Sequence, residues 1–504
     1  MAARSGCLSE YTLLDMEVVT QSRRTSDRAS VPRPGKALAG TTFALYCIYT
    51  IDYYVRVSAR FPSVAALRPT LIMFAIIVAL LFVQWPQLKG RLTNRPSRAL
   101  LALLAYLAAS LPFVTWPGSV LHNLDPFVQA VAFFLFSALI LDTEFRLFAF
   151  LTVFVGCQVF RVLDPLYLHI TTGYLGTAYL VGHTYIGNGN FAGRLSGGPF
   201  DVVNPNGLGF VTVTCIPFLY YCLFGAKQLY RKLLAIALIG ASLYVIYLTL
   251  SRGAMIALFV VIWMIFRKTK RKILFAACVA AIISVAWVHS GGIHRDRYLS
   301  LLGGHGSSQS SMQTAEDQSA EGRIQVTEEE FWIGMERPIF GHGLGTTAEA
   351  KEHNGHGPQA SHNLYTELLV EIGAVGGFFF LRFMYSIYVE LKDIERVVAA
   401  RESSSARHID GRLVQAFVAV FWMYVVFSAN YFGLSQDYWY ALGGLVTAFA
   451  LQSRPMLAEQ AATGKTQSAS GRGEQPLRSP GCRSDSDLPR DPRSLSHKPN
   501  TTIR

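Results

Sequence analysis

Long apolar blocks separated by short polar segments occupy the chain from residue 38 to residue 452. A membrane-spanning helix needs about 20 mainly apolar residues, and blocks without alternation or a polar face are typical of such spans. Several of the blocks are shorter, so the pattern predicts an all-α polytopic membrane protein with about 12 spans. The blocks cover residues 38–55, 66–85, 98–116, 126–142, 145–163, 206–224, 233–250, 252–266, 273–290, 363–388, 412–430 and 437–452.

The composition excludes a large soluble domain, because only 15% of the residues are charged and 51% are hydrophobic. The net charge of +12 does not indicate nucleic acid, since the cations cluster between apolar blocks and in the tails, where they orient a membrane protein. With a cytoplasmic N-terminus, the inward segments would contain Lys89, Arg91, Arg95, Arg98, Lys227, Arg231, Lys232, Arg267, Lys268, Lys270, Arg271, Lys272, Lys392, Arg396, Arg401, Arg407 and Arg412.

The short outward segments 116–125 and 431–437 contain no Lys or Arg, and the exception is segment 55–68 with three arginines. We therefore expect both termini in the cytoplasm. Three regions follow: a disordered cytoplasmic tail over 1–37, a transmembrane domain over 38–452 and a disordered cytoplasmic tail over 453–504. Both tails are too polar to bury a core.

Two longer segments are expected to be periplasmic loops, one over 164–205 and a large one over 291–361, between the ninth and tenth spans. The large loop begins with a Gly, Ser and Gln-rich stretch, 303–320, which we expect to be mobile. Residues 321–336 then have the pattern of an amphipathic helix, and Trp332 suits a helix at the membrane interface.

The seven cysteines, Cys7, Cys47, Cys157, Cys215, Cys222, Cys278 and Cys482, lie outside both loops and form no CxxC pair. No structural disulfide or cysteine zinc site is expected. His342, His353, His356 and His362 are irregularly spaced in the large loop, without the helical pair that a metalloprotease uses. We predict no metal site.

Four segments carry candidate chemistry, and the predicted topology places them all on the periplasmic side. The first contains Arg194 and the sequence Asn204-Pro205-Asn206-Gly207. Asn before Pro favours a helix start, with Asn204 as the cap, and the alternative is that this segment only begins the sixth span. The second is Ser251-Arg252-Gly253, where an arginine at a helix N-terminus favours an anion. Its alternative is a membrane-edge anchor.

The third segment contains Arg323 and Trp332 and continues into the glycine-rich run 337–345, whose glycines are expected to form a turn. The fourth is Ser361-His362-Asn363 before the tenth span. A histidine at a helix N-terminus stays neutral and can accept a proton, whereas the alternative is a capping histidine. Glu367 and Glu371 share a face of that span and are expected to face a cavity, because carboxylates are costly against lipid.

In this order, the four segments resemble the O-antigen ligase and O-antigen polymerase superfamily. The resemblance covers residues 190–385 specifically and residues 38–452 in topology. The segment 361–377 is the most telling, because a histidine, two glutamates and the following glycines recur together in that family. The chain departs from the family in its tails and in the His-rich insertion after Gly345, which leaves the acceptor open.

The resemblance implies a GT-C-like, metal-independent, inverting glycosyltransferase without a cofactor. It would move a glycan from an undecaprenyl-diphosphate carrier to an acceptor hydroxyl at the periplasmic face of the bacterial inner membrane, in lipopolysaccharide or other cell-envelope polysaccharide biosynthesis. By position, Arg252 and Arg323 would hold the diphosphate with Arg194 as a third contact. His362 would activate the acceptor hydroxyl, and Glu367 and Glu371 would line an acceptor site or cavity.

The implied partners are the lipid-linked donor, a glycan or lipid acceptor and membrane lipids, with no nucleic acid. Two other functions stay open. A polymerase would join lipid-linked repeat units by the same donor chemistry. A polysaccharide-lipid transporter without catalysis would instead need charged residues deep in several spans and an inverted repeat.

Overall fold

The computed structural model describes residues 34–176, 180–181, 184–185, 194–201, 204–289, 325–357, 361–401, 411–431 and 433–470. These residues are mostly helical. The helices are α1 (Pro34–Val55), α2 (Val57–Arg60), α3 (Pro62–Ala65), α4 (Pro69–Val83), α5 (Trp85–Leu88), α6 (Arg95–Ser110), α7 (Pro117–His122), α8 (Leu124–Ile140), α9 (Glu144–Thr172), α10 (Pro205–Phe218), α11 (Leu229–Thr249), α12 (Arg252–Lys268), α13 (Lys272–His289), α14 (325–336), α15 (Thr347–His353), α16 (Leu364–Arg401), α17 (Gly411–Phe427) and α18 (Asp437–Ser470).

Short irregular elements join these helices. Three 3₁₀ turns cover Lys89–Thr93, Leu111–Phe113 and Ser428–Asn430, and a π-helical turn covers Leu219–Phe224. Strands β1 (Leu180–Val181) and β2 (Thr184–Tyr185) pair antiparallel, with Leu180 opposite Tyr185.

Each of the 12 predicted apolar blocks coincides with a helix. Within the described residues, 8 helical segments are long and apolar enough to cross a membrane: Ser63–Val83, Arg95–Phe113, Glu144–Thr172, Pro205–Phe224, Leu229–Thr249, Lys272–His289, Leu364–Ala399 and Gly411–Asn430. The chain is therefore a helical multi-pass membrane protein. The other four predicted spans, at α1, α8, α12 and α18, stay predictions.

Two predicted boundaries differ from the structure. Helix α9 continues through Pro165 and ends at Gly173, which has a φ of 73°, so the first loop begins nine residues later than Asp164. Helix α18 continues to Ser470, well into the segment expected to be a disordered tail. Residues 1–33, 303–320 and 471–504, expected to be disordered or mobile, lie outside the described residues.

Helix α10 lies at the centre of the bundle, because it packs against α9, α11, α12 and α17. Thirteen of its fourteen residues are buried, and Asn206 is the exception. A Cβ at Gly209 would lie 2.5 Å from the Cβ of Ala254, so this glycine allows α10 to approach the start of α12 closely. In contrast, α13 has no buried residue, as expected for an apolar helix that faces lipid.

Contact density divides the chain into a unit Met1–Pro455 and a unit Met456–Arg504. All candidate site residues belong to the first unit. A small core in this unit joins Ile333 of α14, Ala350 of α15 and Val370 of α16, with Trp116 packed against it. This core fixes the large loop on the start of α16.

Candidate active site

The first two candidate segments meet through Arg194. Its Nε donates to the carbonyl oxygen of Thr249 at 2.9 Å, and its Nη2 donates to Oδ1 of Asn206 at 2.9 Å. The hydroxyl of Ser251 donates to the same Oδ1 at 2.9 Å. The start of α10, the end of α11 and the start of α12 are thereby joined at one guanidinium.

The prediction of two helix starts here is confirmed by the capping bonds. Asn204 Oδ1 accepts from the backbone N–H of Gly207 at 2.8 Å, with Pro205 at the first helical position. Ser251 Oγ accepts from the backbone N–H of Ala254 at 3.2 Å. Two helix N-termini therefore lie beside Arg194, and each presents a positive dipole end.

Arg252 is the first residue of α12 and carries an unsatisfied donor. Its Nε is buried and has no hydrogen-bond partner within the described part of the chain. A buried donor without a partner costs about 1–3 kcal/mol, so such a group is a strong candidate for a ligand contact. The next residue, Gly253, lies directly against the side chain of Asn430, where a Cβ would collide with the amide.

His362 lies in the turn that starts α16. Ser361 Oγ accepts from the backbone N–H of Asn363 at 3.1 Å and lies 3.0 Å from the carbonyl oxygen of the same residue. The backbone N–H of Leu364 donates to the carbonyl oxygen of Tyr431 at 3.1 Å. His362 is half-buried, so its ring is partly accessible.

Arg252 and His362 lie at the same end of the bundle. Gly253 contacts Asn430 in the 3₁₀ turn that ends α17, and Leu364 bonds to the next residue, Tyr431. The starts of α12 and α16 therefore meet one short segment at the end of α17. Arg252, the candidate diphosphate contact, and His362, the candidate base, belong to these two helix starts.

A buried ion pair supports the turn that contains His362. Glu330 of α14 lies 3.1 Å from Lys351 Nζ of α15, and both side chains are fully enclosed. Glu330 Oε2 also accepts from the hydroxyls of Ser361 at 2.7 Å and Thr366 at 2.6 Å. Sequence reasoning missed this pair, since the two charges are 21 residues apart and lie on different helices.

The glycine-rich run is a structural turn docked on a kink in α16. The kink is at Gly373, with a φ of 65°, a conformation that favours glycine. Around it, the backbone N–H of His342 donates to the carbonyl oxygen of Val370 at 2.8 Å, and that of Ala374 donates to Pro338 at 2.7 Å. The N–H groups of Gly341, His342, Gly343 and Gly345 therefore donate to acceptors within the protein, which favours the structural interpretation over phosphate binding.

The two glutamates of α16 anchor loops. Glu371 accepts from the backbone N–H of Gly345 at 2.8 Å and from the hydroxyl of Thr347 at 2.7 Å. Glu367 accepts from the backbone N–H of Gly433 at 2.7 Å. Both are buried. We expected these two carboxylates to face a cavity. In the structure they accept hydrogen bonds from groups of neighbouring loops instead.

Two members of the third segment remain, Arg323 and Trp332. Arg323 lies outside the described residues. Helix α14 exposes Phe331, Trp332 and Met335, whereas Glu330 and Ile333 are buried. Apolar side chains outside and a carboxylate inside are the arrangement expected of a helix that lies on the membrane surface.

Comparison with known families adds to this geometry. Residues 235–381 match the model of a family described as O-antigen ligase. This part of the chain is similar to the O-antigen ligase and polymerase superfamily. The matched segment contains Arg252, the Glu330–Lys351 pair and His362, whereas Arg194 precedes it. The match supports a connection of this multi-pass membrane protein with cell-surface polysaccharide biosynthesis. Among proteins of curated function, none matches the chain.

Histidines of the large loop contact other groups of the protein. His342 is buried, with Nε2 3.0 Å from the carbonyl oxygen of Ile333 and its ring stacked on Trp116 at 5.4 Å. His356 Nδ1 lies 3.3 Å from Glu329 Oε2. Within the described ranges, no group of three His, Cys, Asp or Glu side chains could hold a metal ion.

Sequence reasoning missed a second set of polar residues, which lies around Arg161. Arg161 of α9 pairs with Asp201 through two bonds, of 2.6 Å and 2.9 Å, and donates to Gln158 Oε1 at 3.0 Å. Nearby, the hydroxyl of Tyr54 donates to Asp437. An arginine inside an apolar block is the signal that could have found this set, because such residues are rare unless they have a function.

Proposed function

We propose that the protein transfers a glycan from an undecaprenyl-diphosphate carrier to an acceptor hydroxyl at the periplasmic face of the bacterial inner membrane. The observation that carries the proposal is the unsatisfied guanidinium nitrogen of Arg252 at the same bundle end as His362. The match to the O-antigen ligase family supports a lipid-linked glycan as the donor. Both termini are then cytoplasmic, as the cation pattern predicts.

The leaving group in this reaction is a lipid diphosphate. Arg252 binds its oxygens at the N-terminus of α12, where the free N–H groups and the helix dipole add positive potential. A planar guanidinium can make two parallel bonds to phosphate oxygens and keeps its charge in a dry site. Arg323 is a further candidate for this contact, and Arg194 supports the pocket through Asn206.

His362 acts on the acceptor. Its neutral ring takes the proton from the acceptor hydroxyl as the new bond forms between that oxygen and the sugar C1. The bond between C1 and the diphosphate oxygen breaks, and its electron pair leaves with the diphosphate. Attack from the face opposite the leaving group inverts the configuration at C1. The Glu330–Lys351 pair positions His362 through Ser361.

The test is a transfer assay with the purified full-length protein, lipid-diphosphate-linked glycan extracted from the producing cells and candidate acceptors. We expect transfer by the wild type and far slower transfer by His362→Ala. Equal product from the two proteins would remove His362 as the base. A ligase and a polymerase are separated by the glycans of a deletion strain. Loss of a ligase leaves long lipid-linked chains, and loss of a polymerase leaves single units.

A further inference from the structure

A cavity of about 260 Å³ lies among the end of α1, the middle of α9, the first half of α10, the end of α17 and the start of α18. This volume is near the lower end of ligand pockets, which hold about 300–1,000 Å³. Arg56, which is exposed, lies on its lining, so the cavity meets the surface there. Its size suits a compact polar ligand and excludes a long lipid chain.

The cavity has a polar floor with unused donors. Gln158 is 5% exposed and gives its Oε1 to Arg161, but its Nε2 donates to no residue within the described ranges. Arg161 uses three of its five N–H groups on Gln158 and Asp201. Both residues line the cavity, so the donors that protein atoms leave unused are available to a ligand with acceptor oxygens.

The walls are aromatic, and the formal charges balance. Two cations, Arg56 and Arg161, face two carboxylates, Asp201 and Asp437. A diphosphate would require an excess of positive charge, so this cavity favours a neutral ligand. The aromatic lining includes Tyr53, Tyr54, Phe154, Phe210, Tyr424 and Tyr431.

We infer that this cavity binds a saccharide unit of the glycan substrate. A sugar ring has hydroxyls at its edges, which need donors and acceptors, and C–H groups on its faces, which pack on aromatic rings. The cavity offers both types of contact.

The position of the cavity connects it with the active site. Gly207 and Phe210 of α10 line it, and Asn206, which binds Arg194 and Ser251, directly precedes Gly207. Tyr431, whose ring stacks on that of Phe210 at 5.6 Å, also lines the cavity and accepts the bond from Leu364, two residues after His362. The cavity therefore adjoins segments that carry the proposed diphosphate site and the proposed base. The assignment of the saccharide to the reaction rests on the proposed function.

The experiment measures binding to the purified full-length protein with four probes. These are lipid-diphosphate-linked glycan from the producing cells, sugar-free undecaprenyl diphosphate, glycan released from the lipid by mild acid, and the acceptor from the same cells. The variants are Gln158→Leu and Tyr53→Phe, with Gln129→Leu as control. Gln129 is half-buried and lies outside this cavity. Thermal unfolding of each variant checks folding.

We expect Gln158→Leu to bind one glycan-bearing probe about tenfold more weakly, the loss of one hydrogen bond to a buried donor, with sugar-free diphosphate unchanged. Weaker donor binding assigns the cavity to the donor, and weaker acceptor binding assigns it to the acceptor. Unchanged binding of every glycan probe by both folded variants would overturn the proposal. Equal losses for sugar-free diphosphate would also overturn it.

The experiments distinguish a failure of the proposed transferase function from a failure of the saccharide site. If the wild type binds released glycan but transfers none of it, the saccharide site stands and the transferase does not. If transfer occurs and depends on His362 while both cavity variants bind and react as the wild type does, the transferase stands and the saccharide site does not.

Discussion

Glu330 Oε1 accepts a hydrogen bond from Lys351 Nζ at 3.1 Å, with both side chains enclosed by protein. Removing one partner from a buried ion pair leaves the other charge uncompensated, at a cost of about 3–5 kcal/mol. The pair also fixes Ser361, so its loss should disturb the neighbouring His362. It joins folding of the large loop to the geometry of the proposed base.

We expect Glu330→Gln to lower kcat about 100-fold, the scale of a 1 Å misplacement, with little change in KM for the donor. Steady-state kinetics and thermal unfolding check this. Glu330→Asp should recover part of kcat, and Glu328→Gln, at an exposed position of the same helix, should behave as the wild type. A fall in folded protein at unchanged kcat would show that the pair has only a structural role.

His362→Ala should reduce the transfer rate by about 10²–10⁴-fold, the contribution of a positioned general base. The folded fraction should not change, since the residue is half-buried in a turn held by Ser361 and Asn363. Product formation under single-turnover conditions is the measurement. The matched control is His122→Ala, at an exposed histidine at the end of α7. Equal losses in both variants would contradict a specific role for His362.

Arg252→Lys should lower kcat by about 10²-fold, since one ammonium cannot make the two parallel bonds that stabilise charge on the leaving group. Its control is Arg267→Lys, at the exposed opposite end of the same helix. Transfer rates and binding of undecaprenyl diphosphate are compared for both variants. Unchanged diphosphate binding by Arg252→Lys would argue for a membrane-edge anchor.

Gly373→Ala should destabilise the protein by about 1–3 kcal/mol, because alanine is strained at a φ of 65°. Its Cβ would also collide with the carbonyl oxygen of Ile339. Gly377→Ala is the control on the same helix, where the nearest atom, Leu368 Cβ, is 3.8 Å away and alanine favours the helix. Thermal unfolding in detergent should separate the two variants, and equal midpoints would show that the kink tolerates a side chain.

The helices could be predicted from the sequence because apolar blocks and caps are local signals. Asn204 and Ser251 mark helix starts through side-chain bonds to N–H groups three residues ahead. The kink at Gly373 could not be predicted, because it depends on docking of residues 338–343 onto α16. The Arg161–Asp201 pair joins residues 40 positions apart, which no periodic pattern connects.

Some arginines that break the predicted cation pattern have roles in the fold. Arg60 pairs with Asp164 at 2.6 Å, and Arg56 lies 5.6 Å from the ring of Tyr53 at the cavity mouth. These two arginines of the predicted outward segment are each stabilised by a carboxylate or a ring. Such exceptions to the charge rule are informative because they indicate where a membrane protein uses charge locally.

Helix α14 exposes Trp332 by 62% and encloses Glu330 completely, although the two residues lie within one helical turn. Its outer side chains would dissolve in the lipid surface while its carboxylate bonds to Ser361. A bilayer that is thinner or thicker would shift such a helix along the membrane normal and would pull on the turn that carries His362. We therefore expect the lipid environment to influence the transfer rate. The rate should be lowest in detergent and highest in a bilayer whose thickness matches the apolar surface of the protein.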